Sequence, residues 1–256
     1  MNRAREIMSG CKGALGGLAV FIAVWELAVL LAGIPKYLLP PPSDVLVYIV
    51  RDYQLIILHS AYTLAAAVSG LLLAVAAGLL LALAMDYWPS LESGLYPLLV
   101  VSQAVPIITL APLIIMWLGY GLLPKVMVAG LICFFPLTVS VIGGMRASDR
   151  ELSDLMRVMG ASRWQVLWLA RLPAAMPAFF SGLKISAAYS VMGAVIGEWL
   201  GSSSGLGVIL LRFTHSYQTA RVLAAVTAIV VMSLLLFGLS ELVSRRVMPW
   251  HHRRQG

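Results

Sequence analysis

Charged side chains are scarce in this 256-residue chain: 11% of its residues are Asp, Glu, Lys or Arg, whereas 61% are hydrophobic. A soluble domain usually carries about 25% charged residues. The shortage excludes an ordinary cytosolic enzyme, a disordered protein and a free nucleic-acid-binding domain, despite the net charge of +7. In a membrane protein, an excess of lysine and arginine first reports the orientation of the chain.

Cysteines and catalytic motifs are also few. The two cysteines, Cys11 and Cys133, cannot form a disulfide framework or a site with metal-ligand spacing. The sequence has no Gly-x4-Gly-Lys-Ser/Thr phosphate loop and no Ser/His/Asp or His/Glu constellation on a plausible face. We therefore expect no catalytic residue, no cofactor and no metal, and we expect any ATP hydrolysis to occur in a separate subunit.

Long apolar runs fill most of the chain. A helix that crosses a hydrocarbon core of about 30 Å needs roughly 20 mostly apolar residues. Six windows predict such helices, at about 14–33, 56–84, 94–118, 124–144, 174–197 and 222–243. The prediction is an all-α, polytopic membrane protein with a single domain, 1–256. A cleaved signal peptide at the N-terminus is rejected, because the apolar run is too long and lacks a small-residue cleavage site.

Lysine and arginine are distributed unevenly about these six helices. With both termini in the cytoplasm, twelve of them fall in inner segments and five in outer segments, and Lys184 lies within a span. The positive-inside rule therefore predicts that both termini are cytoplasmic. The end of the chain, 251–256, is then expected to be a frayed basic tail near anionic lipid headgroups.

The segment between the fourth and fifth spans, 146–172, is unusually rich in charge, because eight of its 27 residues are charged. Its first half predicts an amphipathic helix from apolar residues spaced i, i+3, i+4 and i+7, namely Leu152, Leu155, Met156 and Met159. Gly160 favours a left-handed turn. Ser162 and Gln165 form the capping-box pattern of a second helix, which is expected to stop at Pro173.

This helix–turn–helix has two interpretations. It could be a surface hairpin packed on its own bundle. It could instead be a rigid docking element, in which the apolar stripe and the aromatic side chains of Trp164 and Trp168 fill a groove of a partner protein.

At these residues the sequence resembles the EAA loop of binding-protein-dependent ABC importer permeases. The family pattern is Glu-Ala-Ala, three residues, Gly, nine residues, a hydrophobic residue, any residue, and Leu-Pro. Gly160 and Leu172–Pro173 match it, and Asp154 replaces the glutamate, whereas Leu155 and Met156 depart from the two alanines. The resemblance implies a type I ABC importer permease fold. It also implies an ATPase-coupling surface, made of Asp154, Leu155, Met156, Gly160, Ala161, Ser162, Trp164 and Pro173.

Other stretches resemble one branch of that family. Residues 39–46, 111–119 and 201–207 look like permeases for nitrate, sulfonate or taurine. Within the branch, residues 133–136, 189–199 and 248–250 look most like transporters of thiamin pyrimidine precursors, such as hydroxymethylpyrimidine, and related vitamins.

The resemblance implies a transmembrane permease that forms the path for a small heterocycle in the bacterial inner membrane. Its implied partners are an ABC ATPase subunit, a periplasmic or lipoprotein substrate-binding protein, a second permease copy in a homodimer, and membrane lipid, with no nucleic acid. The alternative is a permease for sulfonate, taurine or nitrate.

Few polar side chains at membrane depth could contact a solute. A cavity for a neutral heterocycle needs some hydrogen-bonding groups and an aromatic face, and Gln103, Glu198 and Trp199 are the candidates. Trp199 could equally be a residue of the interfacial aromatic belt. Glu26, in the first span, could line the path or bond to a neighbouring helix. Lys184 can reach the inner interface with its long side chain.

Two other function classes were compared with a permease. An ion-coupled secondary transporter would need ionisable residues in its spans and usually inverted repeats; Glu26 and Lys184 are the only candidates, and no repeat is visible. An intramembrane enzyme would need a catalytic pair at membrane depth, which the sequence lacks. His59 and His215, near outer helix ends, are expected to be water-exposed interface residues and not ligands.

Overall fold

A computed structural model describes the backbone of residues 2–249, and the side chains of that range except those of residues 2–12, 14 and 15. The expected tail, 251–256, and the Cys11 side chain lie outside the described residues. The described chain is built from helices, so the all-α prediction is confirmed. Its elements are α1 (Asn2–Ala32), α2 (Pro42–Arg51), α3 (Tyr53–Tyr87), α4 (Pro89–Ser102), α5 (Ile107–Leu118), α6 (Leu122–Arg146), α7 (Arg150–Val158), α8 (Arg163–Val166), a π-helical segment (Leu167–Arg171), α9 (Leu172–Trp199), α10 (Leu206–His215) and α11 (Thr219–Val247).

The described residues form two compact units. The first unit contains the residues up to Leu58 together with Ile209–Ala228, and the second contains His59–Val208 and the residues from Ile229 onward.

In the first unit, the start of α2 is tied to α1. The Glu26 carboxylate accepts hydrogen bonds from the backbone N–H of Ser43, at 3.0 Å, and from its hydroxyl, at 2.7 Å. A carboxylate at a helix N-terminus is stabilised by the free N–H groups there. Of the two roles considered for Glu26, a bond to a neighbouring helix is the one observed. Close by, Lys36 Nζ lies 2.8 Å from Asp44 Oδ2, and this carboxylate raises the pKa of the Lys36 ammonium group.

In the second unit, helices approach one another closely through small residues. A Cβ atom on Gly193 of α9 would lie 2.7 Å from the Cα of Ala129 on α6. A Cβ on Gly70 of α3 would lie 2.9 Å from the backbone nitrogen of Gly130 on α6. Small residues at such crossings allow backbone contact, which is how helices pack where lipid removes the hydrophobic driving force.

Within residues 2–249, four helical stretches are long and apolar enough to cross a membrane. They are Tyr53–Tyr87, Leu122–Arg146, Arg163–Trp199 and Thr219–Val247. The bent pair α4–α5 could supply a fifth span, and the apolar part of α1, Gly16–Ala32, is shorter than these stretches. Several membrane-spanning helices are therefore present, as the sequence predicted. The number of six spans stays a prediction.

The third predicted span, 94–118, is not one helix, and the sequence prediction is wrong on this point. Helix α4 ends at Ser102, α5 begins at Ile107, and the two are bent by 102°. Pro106 explains the break, because proline has no N–H to donate and disfavours helical geometry at the residue before it. Pro106 itself is extended, with ψ of 115°.

The predicted helix stop at Pro173 is also wrong. Helix α8 continues through the π segment into α9, and Pro173 lies in the first turn of α9. In the π segment the Leu172 N–H donates to the Leu167 carbonyl, five residues back. Within an α-helix, a proline ring normally clashes with the carbonyl four residues before it. Here the wider π turn directly before Pro173 changes the backbone geometry around that carbonyl.

Candidate coupling loop and solute path

The loop 146–172 begins with a capped helix. The Asp149 carboxylate accepts hydrogen bonds from the backbone N–H groups of Glu151, at 2.9 Å, and Leu152, at 3.3 Å. Such a cap satisfies donors that a helix start leaves without partners. The predicted amphipathic helix is confirmed as α7, and its start is fixed at Asp149.

A glycine turn ends α7. Gly160 has φ of +88°, in the left-handed region. The Ala161 N–H donates to the Met156 carbonyl and the Gly160 N–H to the Arg157 carbonyl, both at 2.9 Å. These two bonds are the Schellman motif, in which glycine is the favoured residue. The predicted turn at Gly160 is therefore confirmed.

The second helix starts with the predicted capping box. The Ser162 N–H donates to Gln165 Oε1 at 2.7 Å, and the Gln165 N–H donates to Ser162 Oγ at 3.3 Å. Four residues, 159–162, therefore separate α7 from α8, and each helix has its own cap. The turn between them is fixed by local hydrogen bonds.

The apolar face of α7 is open to solvent in this structure. Val158 and Met159 are 86% and 79% exposed, and Leu155 is exposed as well. Ser153, on another face, is buried. Trp164, at the start of α8, is also exposed. The described chain leaves this apolar surface largely uncovered, although Met156 of the predicted stripe is partly buried, and docking on a partner stays a prediction.

The second half of the loop is anchored. Val166 and Leu167 are each 2% exposed, and Leu167 belongs to an apolar cluster that includes Met85 of α3 and Met145 of α6. The Trp164 ring lies edge-on to Tyr87, with centroids 6.5 Å apart. Helix α8 is therefore fixed to the ends of two long helices, while α7 offers a free face.

Two ion pairs at this end of the second unit were missed in the sequence. Arg171 Nη1 lies 2.6 Å from Asp86 Oδ1, and Arg146 Nε lies 2.7 Å from Glu92 Oε1. The only signal was that both acids fall in or beside a short connection between apolar runs. A third pair joins Lys184 to Glu241 on α11 at 2.9 Å. The sequence predicted that Lys184 reaches the inner interface, but it did not predict this acidic partner.

Glu198 lies in the packed interior, 1% exposed. Its carboxylate accepts hydrogen bonds from the Thr63 hydroxyl at 2.9 Å and from the Gly207 N–H at 2.8 Å. The Thr63 hydroxyl in turn accepts from the Leu206 N–H at 2.8 Å. In this conformation Glu198 therefore holds the first turn of α10, because helix N-termini offer free N–H donors to a carboxylate.

His59 belongs to the same cluster. It is buried, and its Nδ1 lies 2.9 Å from both the nitrogen and the carbonyl oxygen of Gly205. The expectation that His59 is water-exposed is wrong, because the turn at Gly205 covers it. His215 is exposed, as expected.

The other two candidate path residues lie elsewhere. Gln103 directly follows α4 and, with Ser102, lines a mostly apolar cavity of about 330 Å³ beside the break in the third span. Neither Glu198 nor Trp199 lines this cavity. Trp199 is half-buried, and its indole N–H is enclosed without an acceptor among the described residues. The structure thus does not bring the three predicted residues together.

A larger cavity, of about 740 Å³, lies beside the 201–204 turn. Lys125 is 7% exposed and lines it, and its Nζ donates to the Ser204 carbonyl at 3.1 Å. Tyr62 and Tyr120 line it as well. The cavity therefore combines a hydrogen-bond donor with two aromatic rings. From the sequence, Lys125 is expected only to be one of the outer charges, because nothing in the local pattern shows that the side chain is buried.

Comparison with known proteins identifies the family. Residues 70–249 match the model of the binding-protein-dependent transport system inner membrane component. A formylaminopyrimidine transport permease of Halalkalibacterium halodurans is 33% identical, over 92% of this chain and 94% of that protein. A riboflavin transport system permease of Chloroflexus aurantiacus is 35% identical, over 91% and 88%. A taurine transport system permease of Escherichia coli is 30% identical, over 93% and 89%.

A crystal structure of an amino acid ABC transporter has the same fold, with a TM-score of 0.54 and 21% identity, over 78% of this chain and 97% of that one. The relatives are transport subunits and not enzymes. The chain therefore belongs to the binding-protein-dependent transport system inner membrane components, and it is the multi-pass inner-membrane permease subunit of an ABC importer, which works with an ATPase subunit and a substrate-binding protein.

Proposed function

We propose that this permease imports a small heterocycle of the thiamin-precursor type. The observation that carries the proposal is that two of the relatives named above are permeases for formylaminopyrimidine and riboflavin, both nitrogen heterocycles with flat rings. Gln103 and Lys125 each face a cavity, and both can donate hydrogen bonds to ring nitrogens or carbonyl oxygens.

A sulfonate such as taurine is the second candidate, and one observation favours it. Lys125 is buried yet makes no ion pair with a described carboxylate within 4.0 Å. A buried ammonium group is costly without an opposite charge nearby, even when it donates to a carbonyl as Lys125 does, and a sulfonate could compensate that charge during passage. The taurine permease is also among the relatives.

Uptake by the assembled importer separates these candidates. The permease, its ATPase and its own binding protein are reconstituted in proteoliposomes and offered labelled formylaminopyrimidine, riboflavin or taurine with ATP. We expect uptake of the pyrimidine, with vesicles that contain a non-hydrolysable ATP analogue as the control. Uptake of taurine without uptake of either heterocycle would contradict the proposal and favour the second candidate.

Within the importer, we infer that the 146–172 loop docks on the ATPase. The open apolar face of α7, with Val158, Met159 and Leu155, supports this, because apolar anchors that fill a partner's groove contribute most of the binding energy of an interface. Asp154, Ala161 and Ser162 shape the same helix–turn–helix. In this arrangement both termini and the loop are cytoplasmic, two copies of the permease form the path, and lipid surrounds them.

For the solute path, we propose different roles for the three candidate residues. Gln103 would contact the solute from the cavity beside the break in the third span. Glu198 would act indirectly by holding the turn that starts α10, and Trp199 would close the same end of α9. Movement of the docked loop would open and close the path, but only if the ATPase and the binding protein bind one conformation better than the other.

A further inference from the structure

One ion pair connects the loop to the end of a long helix of the second unit. Asp86, one residue before the end of α3, and Arg171, the last residue of the π segment, meet at 2.6 Å. Their side chains are 12% and 29% exposed, so the pair is more enclosed than the Arg146–Glu92 pair nearby, whose side chains are 50% and 28% exposed. A partly buried pair is costly to break from one side, because it leaves a charge without its partner.

The π segment controls where Arg171 points. The hydrogen-bonded ring of a π turn contains one residue more than that of an α-helical turn. Such π turns within α-helices are frequent at functional sites. One residue corresponds to about 100° of rotation about a helix axis. A change between π and α hydrogen bonding at Leu167–Arg171 would therefore shift Arg171 relative to α9, and it would also disturb the packing of Leu167 in the apolar cluster. Such a change would move Arg171 relative to Asp86.

Open space flanks this ion pair on two sides. Cavities of about 270 Å³ and 300 Å³ adjoin it, and both are lined by Asp86 and Arg171. The first cavity is also lined by Arg150, and the second by Arg157 and Arg163. The guanidinium Nε of Arg171 has no hydrogen-bond partner among the described residues. The charged ends of the pair therefore have open space beside them, whereas Leu167 of the same segment is packed in the apolar cluster.

We propose that Asp86 and Arg171 are positioning residues that transmit movement of the 146–172 loop to α3. This rests on the proposed docking of that loop on the ATPase. Movement of α7 by the ATPase displaces Arg171 at the start of α9, and the ion pair draws the end of α3 with it. Because α3 carries Tyr62 near the larger cavity at its other end, the pair links the docking face to the solute path.

The test combines single variants with a charge exchange. Asp86→Asn and Arg171→Gln each remove one charge, and the double variant Asp86→Arg/Arg171→Asp restores attraction with the charges reversed. Glu92→Gln and Arg146→Gln are the matched controls, because they break an ion pair of 2.7 Å beside the same cavity that lies outside the π segment. Each permease is measured alone in nanodiscs by amide hydrogen exchange of α7 and α8, and in the assembled importer by ATP hydrolysed per solute transported.

We expect each single change at Asp86 or Arg171 to speed exchange in α7–α8 by about tenfold and to raise the ATP cost of transport severalfold. The exchanged pair should restore both values toward those of the parent, and the controls should leave them near the parent. A purely structural contact would alter the stability of the permease without changing the ATP cost per solute, once hydrolysis by unassembled ATPase subunits is measured separately and subtracted.

Normal exchange and normal ATP cost in Asp86→Asn would overturn the inference while leaving ATPase docking intact. Faster exchange with an unchanged ATP cost would also overturn it, because the pair would then hold the loop without transmitting its movement. A parent permease that does not bind the ATPase would instead refute the proposed docking itself, on which the inference depends.

Discussion

Replacement of Gly160 by valine tests whether the turn between α7 and α8 sets the docking geometry. At φ of +88° a β-branched side chain is disfavoured by its own backbone. No heavy atom lies within 4 Å of the position that a Cβ atom would take, so the substitution meets no neighbour. The expected effect is therefore a backbone effect confined to the turn.

The left-handed conformation costs a residue with a Cβ roughly 1–2 kcal/mol. A free energy of this size changes the ratio of two states by a factor of about 5–30. The native turn would lose population relative to other loop conformations by that factor in Gly160→Val, while the long helices, which do not depend on it, keep their packing. Asparagine tolerates this conformation better than other residues with a Cβ, so Gly160→Asn should retain most of the native turn.

The assay compares Gly160→Val, Gly160→Asn and Gly160→Ala for membrane abundance, capture of the ATPase and solute-stimulated ATP hydrolysis. Gly143→Ala is the control, because Gly143 lies inside α6 with open space around it. We expect normal abundance for every variant and a loss of coupling that increases from Asn to Ala to Val. Transport by Gly160→Val at the parent rate would refute the reasoning, and loss of the protein from the membrane would mean that the hairpin mainly holds its own bundle together.

The remaining predictions concern orientation and the Glu198 cluster. In a Cys11→Ser background, a cysteine at Ser203 should react with an impermeant thiol reagent from outside and a cysteine at Asp154 should not; the opposite pattern would overturn the orientation. Both positions are exposed. Gly205→Ala should destabilise the permease by about 2–5 kcal/mol, measured by thermal unfolding in detergent, because Gly205 has φ of +125° and a Cβ there would overlap the Glu198 carboxylate. An unchanged melting temperature would contradict that contact.

Local patterns in the sequence predicted the loop well. The cap at Ser162, its partner Gln165 and the turn at Gly160 are set by residues a few positions apart, and all three are observed. The apolar runs likewise indicated membrane helices without any knowledge of packing. These features follow from backbone hydrogen bonding and side-chain polarity, which act over one or two helical turns.

Contacts between distant residues were not predictable in the same way. Glu198 and Thr63 are 135 residues apart, and Asp86 and Arg171 are 85 residues apart. An isolated acid in an apolar run indicates that some partner is needed, but one sequence does not reveal which residue supplies it. The bend at Pro106 could have been anticipated, since a proline follows Gln103 within one turn; the absence of charge from 94 to 118 favoured one straight span instead.

Cross-linking from the open face of α7 tests the central claim, that the 146–172 loop is where the ATPase binds. A photoreactive amino acid is placed at Val158, which is 86% exposed, and at Val47 of α2, which is 60% exposed, as the control. In membranes that contain the whole importer, irradiation should join the Val158 variant to the ATPase subunit and leave the Val47 variant without that product. A cross-link to the ATPase from Val47 and none from Val158 would contradict both the docking surface and the orientation of the chain.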